Sequence, residues 1–219
     1  MILFQTLMSL EIRGLLKNSL HRKEKKILVI TGSDKISNNL IKELNLLEKN
    51  LKIIRDRSLN TKKILKLIFK SKSLTFKFLF NAVFSEMLRK NIKVPNIIDF
   101  RNKKELNDLL LKFKPDLILV FRVSYIFPME IINDYEIINF HCSDITNELY
   151  KGLGSIYKSY KLKESSPKVS VHRITPEIDN GEILLQQEYF FDFNKGYTHN
   201  ENLAYRSGID TLVSFINNF

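Results

Sequence analysis

Three short apolar runs limit what this chain can become: KILVIT at residues 26–31, LKIIR at 51–55 and LILVF at 117–121. Runs of that length without polar alternation are the mark of strands covered on both faces, as in a parallel sheet. After the first run, Ile36, Leu40, Ile41, Leu44 and Leu47 recur at helical spacing. Residues 61–90 read as helical, with Ile64, Leu65, Ile68, Phe76, Leu79, Phe80, Val83 and Met87 apolar. Pro95 is expected to end that region, because the residue before a proline is pushed out of the helical basin. A short strand around Ile97 and Ile98 and a helix over residues 103–113 lead into Pro115-Asp116 and LILVF. Strands alternating with helices predict an α/β fold with a doubly wound, mostly parallel sheet.

The pattern changes near residue 137. Residues 137–141 form another expected strand, followed by a polar loop that holds Gly152 and Gly154. Val169, Val171 and Ile174 mark a strand, residues 176–181 a turn, and residues 183–191 its returning partner, making a C-terminal β-hairpin. Thr198-His-Asn-Glu201 has the spacing of a capping box and is expected to open a closing helix through Leu203, Ile209, Leu212 and Phe215. Residues 26–219 read as a single domain and residues 1–25 as an N-terminal extension.

Composition narrows the functional classes. The 219 residues include 44% hydrophobic and 27% charged side chains, ordinary for a globular protein with a substantial core. No run approaches the ~18 apolar residues of a spanning helix. The opening MILFQTLMSLEIRGLLKNSL is interrupted by Glu11 and Arg13 and lacks both a basic leader and a small-residue cleavage site, so it is not read as a signal peptide. One cysteine, Cys142, excludes an internal disulfide and suits a cytoplasmic setting. The net charge of +11 is uneven: residues 1–114 carry 26 Lys/Arg against 10 Asp/Glu, and residues 115–219 carry 9 against 14. No nucleic-acid motif accompanies the basic half, so solvated surface lysines are the expected explanation. The stretch KKILKLIFKSKSLTFKFLF at 62–80 could lie on an anionic membrane as an amphipathic helix. Packing of its apolar side on the sheet, with Lys62, Lys63, Lys66 and Lys70 in water, is the stronger expectation.

Chemistry concentrates around INFHCS at 138–143. Side chains alternate along a strand, so Asn139 and His141 share a face and Cys142 points away from both. A nucleophilic Cys–His pair is therefore not expected, and Cys142 reads as a packed small side chain. Ligands in open α/β sheets bind at the carboxyl ends of strands, which is where this pair falls. Taken alone, an Asn and a His are more often structural than catalytic. The four histidines and single cysteine have no metal-ligand spacing, and no metal is expected.

The ordered set FKPDLILVFRVSYIFPMEII, INFHCS, YKGLGS and KVSVHRITPEIDNGEILLQ resembles the formyltransferases that use 10-formyltetrahydrofolate. That family includes glycinamide ribonucleotide, methionyl-tRNA and sugar-nucleotide N-formyltransferases, and its fold is Rossmann-like. The resemblance is loose over residues 27–219 and close over 113–191. It implies catalytic roles for Asn139, His141 and Asp179. Asn139 would donate to the formyl oxygen, and a protonated His141 would stabilise charge on the tetrahedral intermediate or protonate the leaving nitrogen. Asp179 would orient the imidazole and favour its charged form. The folate would lie between Val123-Ser124-Tyr125-Ile126 and the Glu177-Ile178-Asp179 turn, held largely by backbone groups. Gly152 and Gly154 would let their loop approach the acceptor, and His172 would be a structural partner on its strand.

The resemblance also bears on the acceptor. Where the purine enzyme has a Gly-Ser-Asn phosphate loop, this chain has Gly32-Ser33-Asp34-Lys35, and Cys-Ser-Asp-Ile-Thr follows where Pro-Ser-Leu-Leu-Pro is usual. The tRNA-acting members add a C-terminal barrel, which is not expected here. A nucleotide-linked 4-amino-4,6-dideoxyhexose destined for surface polysaccharide is therefore the expected acceptor. The alternatives are glycinamide ribonucleotide, or a catalytically silent relative that serves as a binding module. Self-association as a homodimer through the C-terminal part is a further expectation from the resemblance.

Overall fold

The structure, a computed structural model, describes residues 25–47, 50–58 and 73–218. The first apolar run becomes β1 (Ile27–Thr31), whose five residues are all buried. It lies between β2 (Leu51–Asp56) and β4 (Leu117–Phe121), parallel to both. Such a strand has no solvent face, which is why its sequence shows no alternation. β3 (Ile98–Phe100) extends the sheet beyond β2, and β5 (Ile137–His141) adds to β4, both in parallel. β6 (Lys168–Arg173) and β7 (Ile183–Glu188) complete it as an antiparallel hairpin. The seven strands run in the order β3-β2-β1-β4-β5-β6-β7. This is the doubly wound, mostly parallel α/β sheet with a C-terminal hairpin that the apolar runs predict.

Helices cover both faces. α1 (Lys35–Leu44) buries Ile36, Leu40, Ile41 and Leu44 as one stripe, and Asp34 caps it by accepting from the Ser37 amide at 2.8 Å. α2 (Ser73–Leu88) follows β2. α3 (Lys103–Phe113) is opened by Asn102, which accepts from the Glu105 amide, while Glu105 accepts from the Arg101 amide. Lys114 ends α3 in the left-handed conformation, and Pro115 then prevents its continuation. α4 (Met129–Asp134), a 3-10 turn at Glu148–Tyr150, α5 (Ser155–Lys161) and α6 (Tyr197–Asn218) follow. One core layer joins α1, α5 and α6 to the sheet; the other lies beneath α3 and α4. Gly208 lets α6 touch the sheet: a Cβ there would stand 2.6 Å from the Cys142 sulfur and 2.8 Å from the Phe121 ring.

Several expectations change. Of the helix expected over 61–90, residues 61–72 lie outside the described residues, as do residues 1–24 of the N-terminal extension. α2 ends at Leu88, so Pro95 is not its terminator. α6 begins at Tyr197, one residue before Thr198, and the capping box does not form. Thr198 instead bonds the Ser85 hydroxyl, and Glu201 accepts from Tyr197 and pairs with Arg89. Asn200 organises the turn into the helix, accepting from the Asp192 amide and donating to the Asp192, Lys195 and Gly196 carbonyls. A buried arginine outcompetes the local cap for Glu201, because an ionic partner outweighs one backbone amide. The loop after residue 143 also holds the 3-10 turn and α5, both too short for a periodic signal.

Candidate active site

β5 ends in Asn139 and His141, which share one face because the strand period is two. β6 pairs antiparallel with β5 so that Asn139 stands opposite His172. Asp179 arrives on the connection between β6 and β7, in the left-handed region at φ 50°. That conformation is uncommon for a side chain with a Cβ, and here it aims the carboxylate at the strand ends. Gly181 makes the tight return feasible: a Cβ there would lie 1.8 Å from the Arg173 carbonyl oxygen. The glycine of the Asp-x-Gly motif is thus required by backbone approach.

The three residues assigned from sequence converge. His141 Nδ1 is 3.4 Å from Asp179 Oδ2, and Asn139 Nδ2 is 3.4 Å from Asp179 Oδ1. The Gly152 amide donates to Asp179 Oδ2 at 2.8 Å, tying the glycine loop to the carboxylate. Gly152 and Gly154 hold φ of 70° and 77°, so both loop glycines occupy positions that favour glycine. Gly154 starts α5 and packs against the Phe78 ring.

The hydrogen-bond partners assign the ring tautomers. A carbonyl only accepts, so His141 Nε2 carries a proton and donates to the Tyr150 carbonyl at 3.1 Å. In the neutral ring the lone pair is then on Nδ1, beside Asp179. His172 Nδ1 donates to the Arg173 carbonyl at 2.9 Å, and its Nε2 accepts from Asn139 Nδ2 at 3.1 Å. His172 is 2% exposed and holds the Asn139 amide in place, the structural part expected of it. The 3.4 Å contact from Asn139 to Asp179 is long for a hydrogen bond, so that second N–H is the one an incoming oxygen can take.

Burial lowers the His141 pKa below its ordinary 6.5; nearby Asp179 raises it, but not enough to reverse the shift. The shift favours the neutral ring as the resting form, whereas the sequence reading gave a protonated His141 its role at the tetrahedral intermediate. Burial alone would raise Asp179, but His172, His141 and the Gly152 amide outweigh it and hold the carboxyl at about 2. The site thus pairs a permanent carboxylate with an imidazole free to take a proton at Nδ1. Cys142 packs in the core, and burial pushes its thiol up to about 12, so it is no nucleophile.

The segment after β4 differs in part from expectation. Asp56, buried at the end of β2, accepts from the Ser124 amide and hydroxyl and from the Tyr125 amide, all within 2.8 Å. Those two backbone donors are thereby committed within the chain. The Tyr125 ring packs edge-on against Phe100 and Phe127. Val123 is half-buried and Ser124 exposed. Ile126 and Ile178 are 73% and 61% exposed, apolar side chains next to the strand-end segment and the Asp179 turn. Glu177 is exposed and accepts from the Asn180 amide group. Sequence reasoning missed Asp56 and Tyr150. A lone acid closing the apolar run LKIIRD could have flagged the first; Tyr150 acts through its carbonyl, which no side-chain pattern reveals.

The loop after β1 holds an internal ion pair. Arg122, with φ 58°, pairs with Asp34 and lies over the Tyr205 ring at 3.9 Å. The Lys35 amide, at the start of α1, donates to Glu86 at 2.8 Å. Two carboxylates of the chain itself therefore occupy the amino end of α1. Among the described residues, no group of three or more His, Cys, Asp or Glu is placed to hold a metal ion, and no helix is long and apolar enough to cross a membrane.

A sheet of this topology with Asn, His and Asp gathered at the strand ends defines the class to which comparison also leads. The formyl transferase family model matches residues 13–198, and the chain belongs to that family. It is 27% identical over 129 residues to methionyl-tRNA formyltransferase of a Wolbachia species, covering 58% of this chain and 42% of that one. A Sulfurihydrogenibium methionyl-tRNA formyltransferase is 30% identical over 105 residues, covering 47% and 33%. The chain thus spans less than half the length of these curated relatives. In fold it is similar to phosphoribosylglycinamide formyltransferase from Anaplasma phagocytophilum, with TM-score 0.61, 16% identity and coverage of 88% and 84%. It is also similar to a 4-N formyltransferase from Francisella tularensis, with TM-score 0.58, 17% identity and coverage of 89% and 69%.

Proposed function

We propose that this chain transfers a formyl group from 10-formyltetrahydrofolate to the amine of a nucleotide-linked amino sugar. The observation that carries this reading is the convergence of Asn139, His141 and Asp179 at the ends of β5 and the β6–β7 turn. The residues suit the folate donor: an amide donor, an imidazole base and the exposed apolar Ile126 and Ile178 for a flat ring. Bound there, it supplies a formyl carbon carried on nitrogen. Asn139 Nδ2 donates to the formyl oxygen as negative charge develops on it. His141 Nδ1 takes the proton released by the attacking amine and returns it to the departing nitrogen. Asp179 stabilises the imidazolium in between, and the Tyr150 carbonyl fixes the ring so that Nδ1 does this work.

The carboxylates at the amino end of α1 argue against an acceptor phosphate seated there, as the Gly-Ser-Asn loop of the purine enzyme would require. A helix amino end is a natural phosphate seat, and Asp34 and Glu86 fill it with negative charge. The fold likeness to the Francisella 4-N formyltransferase is consistent with an amino-sugar acceptor. A second reading, an aminoacyl-tRNA amine, draws on the methionyl-tRNA formyltransferases among the sequence relatives and on the basic first half. Incubation with 10-formyltetrahydrofolate and three acceptors separates these readings. Formylation of the 4-amino-4,6-dideoxyhexose nucleotide is expected; formylation confined to methionyl-tRNA or to glycinamide ribonucleotide chooses the other acceptor.

A further inference from the structure

From Phe80 on, helix α2 turns five large apolar side chains outward. Phe80, Val83, Phe84 and Met87 have the i, i+3, i+4, i+7 spacing of one helical face and are 66%, 61%, 49% and 73% exposed. Leu88 extends the stripe at 61% exposure, and the Phe80 and Phe84 rings stack with centroids 6.4 Å apart. The expectation for residues 62–80 falls mostly outside the described residues; of that stretch Phe78 packs inward and Phe80 faces out.

The opposite face is already committed. Phe78 packs against Gly154 and tilts onto Tyr157 at 6.2 Å. Ser85 bonds Thr198 at 2.9 Å, and Glu86 accepts from the Lys35 amide at 2.8 Å. Arg89, just past the helix, pairs with the buried Glu201 and with Asn202. Turning Phe80 and Phe84 inward would break each of these contacts. A contiguous apolar stripe held outward in this way is a binding surface.

The surrounding charge selects what binds. Along α2 and just beyond it, residues 73–93 contain Lys77, Arg89, Lys90 and Lys93 against a single acid, Glu86. Lys90 and Lys93, both exposed, follow the stripe directly. Two copies meeting through this face would bring like-charged margins together, whereas an anionic bilayer offers phosphates to the lysines and an apolar boundary to the rings. We propose that α2 docks the protein on an anionic phospholipid surface. Phe80, Val83, Phe84, Met87 and Leu88 enter the boundary between headgroups and acyl chains, and Lys90 and Lys93 meet the phosphates. The inner face of α2 touches Gly154, two residues from the Gly152 amide that holds Asp179, so a docked helix sets the glycine-loop side of the cleft beside the membrane. This docking is independent of which amine the site formylates.

Co-sedimentation with vesicles of phosphatidylcholine, with and without phosphatidylglycerol, tests the proposal. The protein is expected to bind only the anionic vesicles, and less as salt rises. Phe80→Ser combined with Phe84→Ser should lower the partition coefficient about tenfold, and Lys90→Glu with Lys93→Glu should also reduce binding. These side chains are exposed, so both variants should keep the parent's thermal unfolding midpoint. Binding to neither vesicle, or equal binding to both, overturns the proposal. So does a dimer in sedimentation equilibrium that Phe84→Ser dissolves while vesicles stay unbound.

Discussion

His141 faces Asp179 through Nδ1 at 3.4 Å, while its other nitrogen is held by the Tyr150 carbonyl. This arrangement leaves one basic position on the ring and places a carboxylate beside it. The pH dependence of turnover follows. In the proposed mechanism His141 is the base, so its neutral form would be the active one, and burial lowers its pKa below 6.5. The acidic limb of kcat/KM should therefore have its midpoint below 6.5, with activity lost as pH falls through it. Asp179→Asn removes the charge that favours protonation, so residual activity in that variant should show the limb shifted to lower pH. Initial rates across pH 4–8 check both.

The same groups make stability pH-dependent. Asp179 falls from 3.8 to about 2 in the folded chain. Its contribution, of order 2 kcal/mol, is fully present above pH ~4 and lost as pH drops toward ~2. His141, buried and neutral, also destabilises the fold in acid: the unfolded ring binds a proton first, so stability declines as pH falls below 6.5. Urea unfolding at a series of pH values should show less dependence on pH below 4 for Asp179→Asn than for the parent.

In the proposed mechanism Asn139→Ala removes the donor to the formyl oxygen. It should lower kcat by about 100- to 1000-fold with little change in KM for the amine. Steady-state kinetics give the split between the two constants. A comparable fall in kcat for His172→Ala, with the fold intact, would agree with its hold on the Asn139 amide.

Gly181→Ala should cost stability as well as rate. The added methyl meets the Arg173 carbonyl at 1.8 Å, so the turn carrying Asp179 must open. Overpacking of this kind costs about 1–3 kcal/mol. A lower melting temperature together with reduced turnover is expected; Gly196, with open space around its Cβ position, is the neutral control.

Arg89 and Glu201 form a pair whose side chains are 7% and 3% exposed. Arg89→Ala strands a buried carboxylate and should destabilise the fold by about 3–5 kcal/mol, readable by calorimetry. The loss should reach α2 and α6 together, since Arg89 joins them.

Much of this fold is visible in the sequence because a central parallel strand leaves no choice: every side chain of β1 and β4 is buried, so the apolar runs mark them directly. The candidate site came from the family resemblance instead: Asn139 and His141 share a strand face but alone read as structural, and Asp179 was implied only by the ordered motifs. What the sequence hid depends on partners distant along the chain. Glu201 looked like half of a capping box until Arg89, far away in sequence, supplied a stronger partner. Asp56 consumes the Ser124 and Tyr125 amides across a sheet edge, a competition no local pattern shows. In α2 ten of sixteen positions are apolar and they fall on more than one face, so periodicity could not tell the buried face from the exposed one. The burial that lowers the His141 pKa is likewise a property that only packing reveals.

The central claim is that the imidazole of His141, backed by Asp179, moves a proton while a formyl group passes to an amine. Single-turnover transfer from 10-formyltetrahydrofolate to a 4-amino-4,6-dideoxyhexose nucleotide, followed by mass spectrometry for the parent, His141→Ala and Asp179→Asn, tests it most directly. The account predicts formylated product from the parent and a rate lower by several orders of magnitude in both folded variants. Parent-like rates in the variants would contradict it.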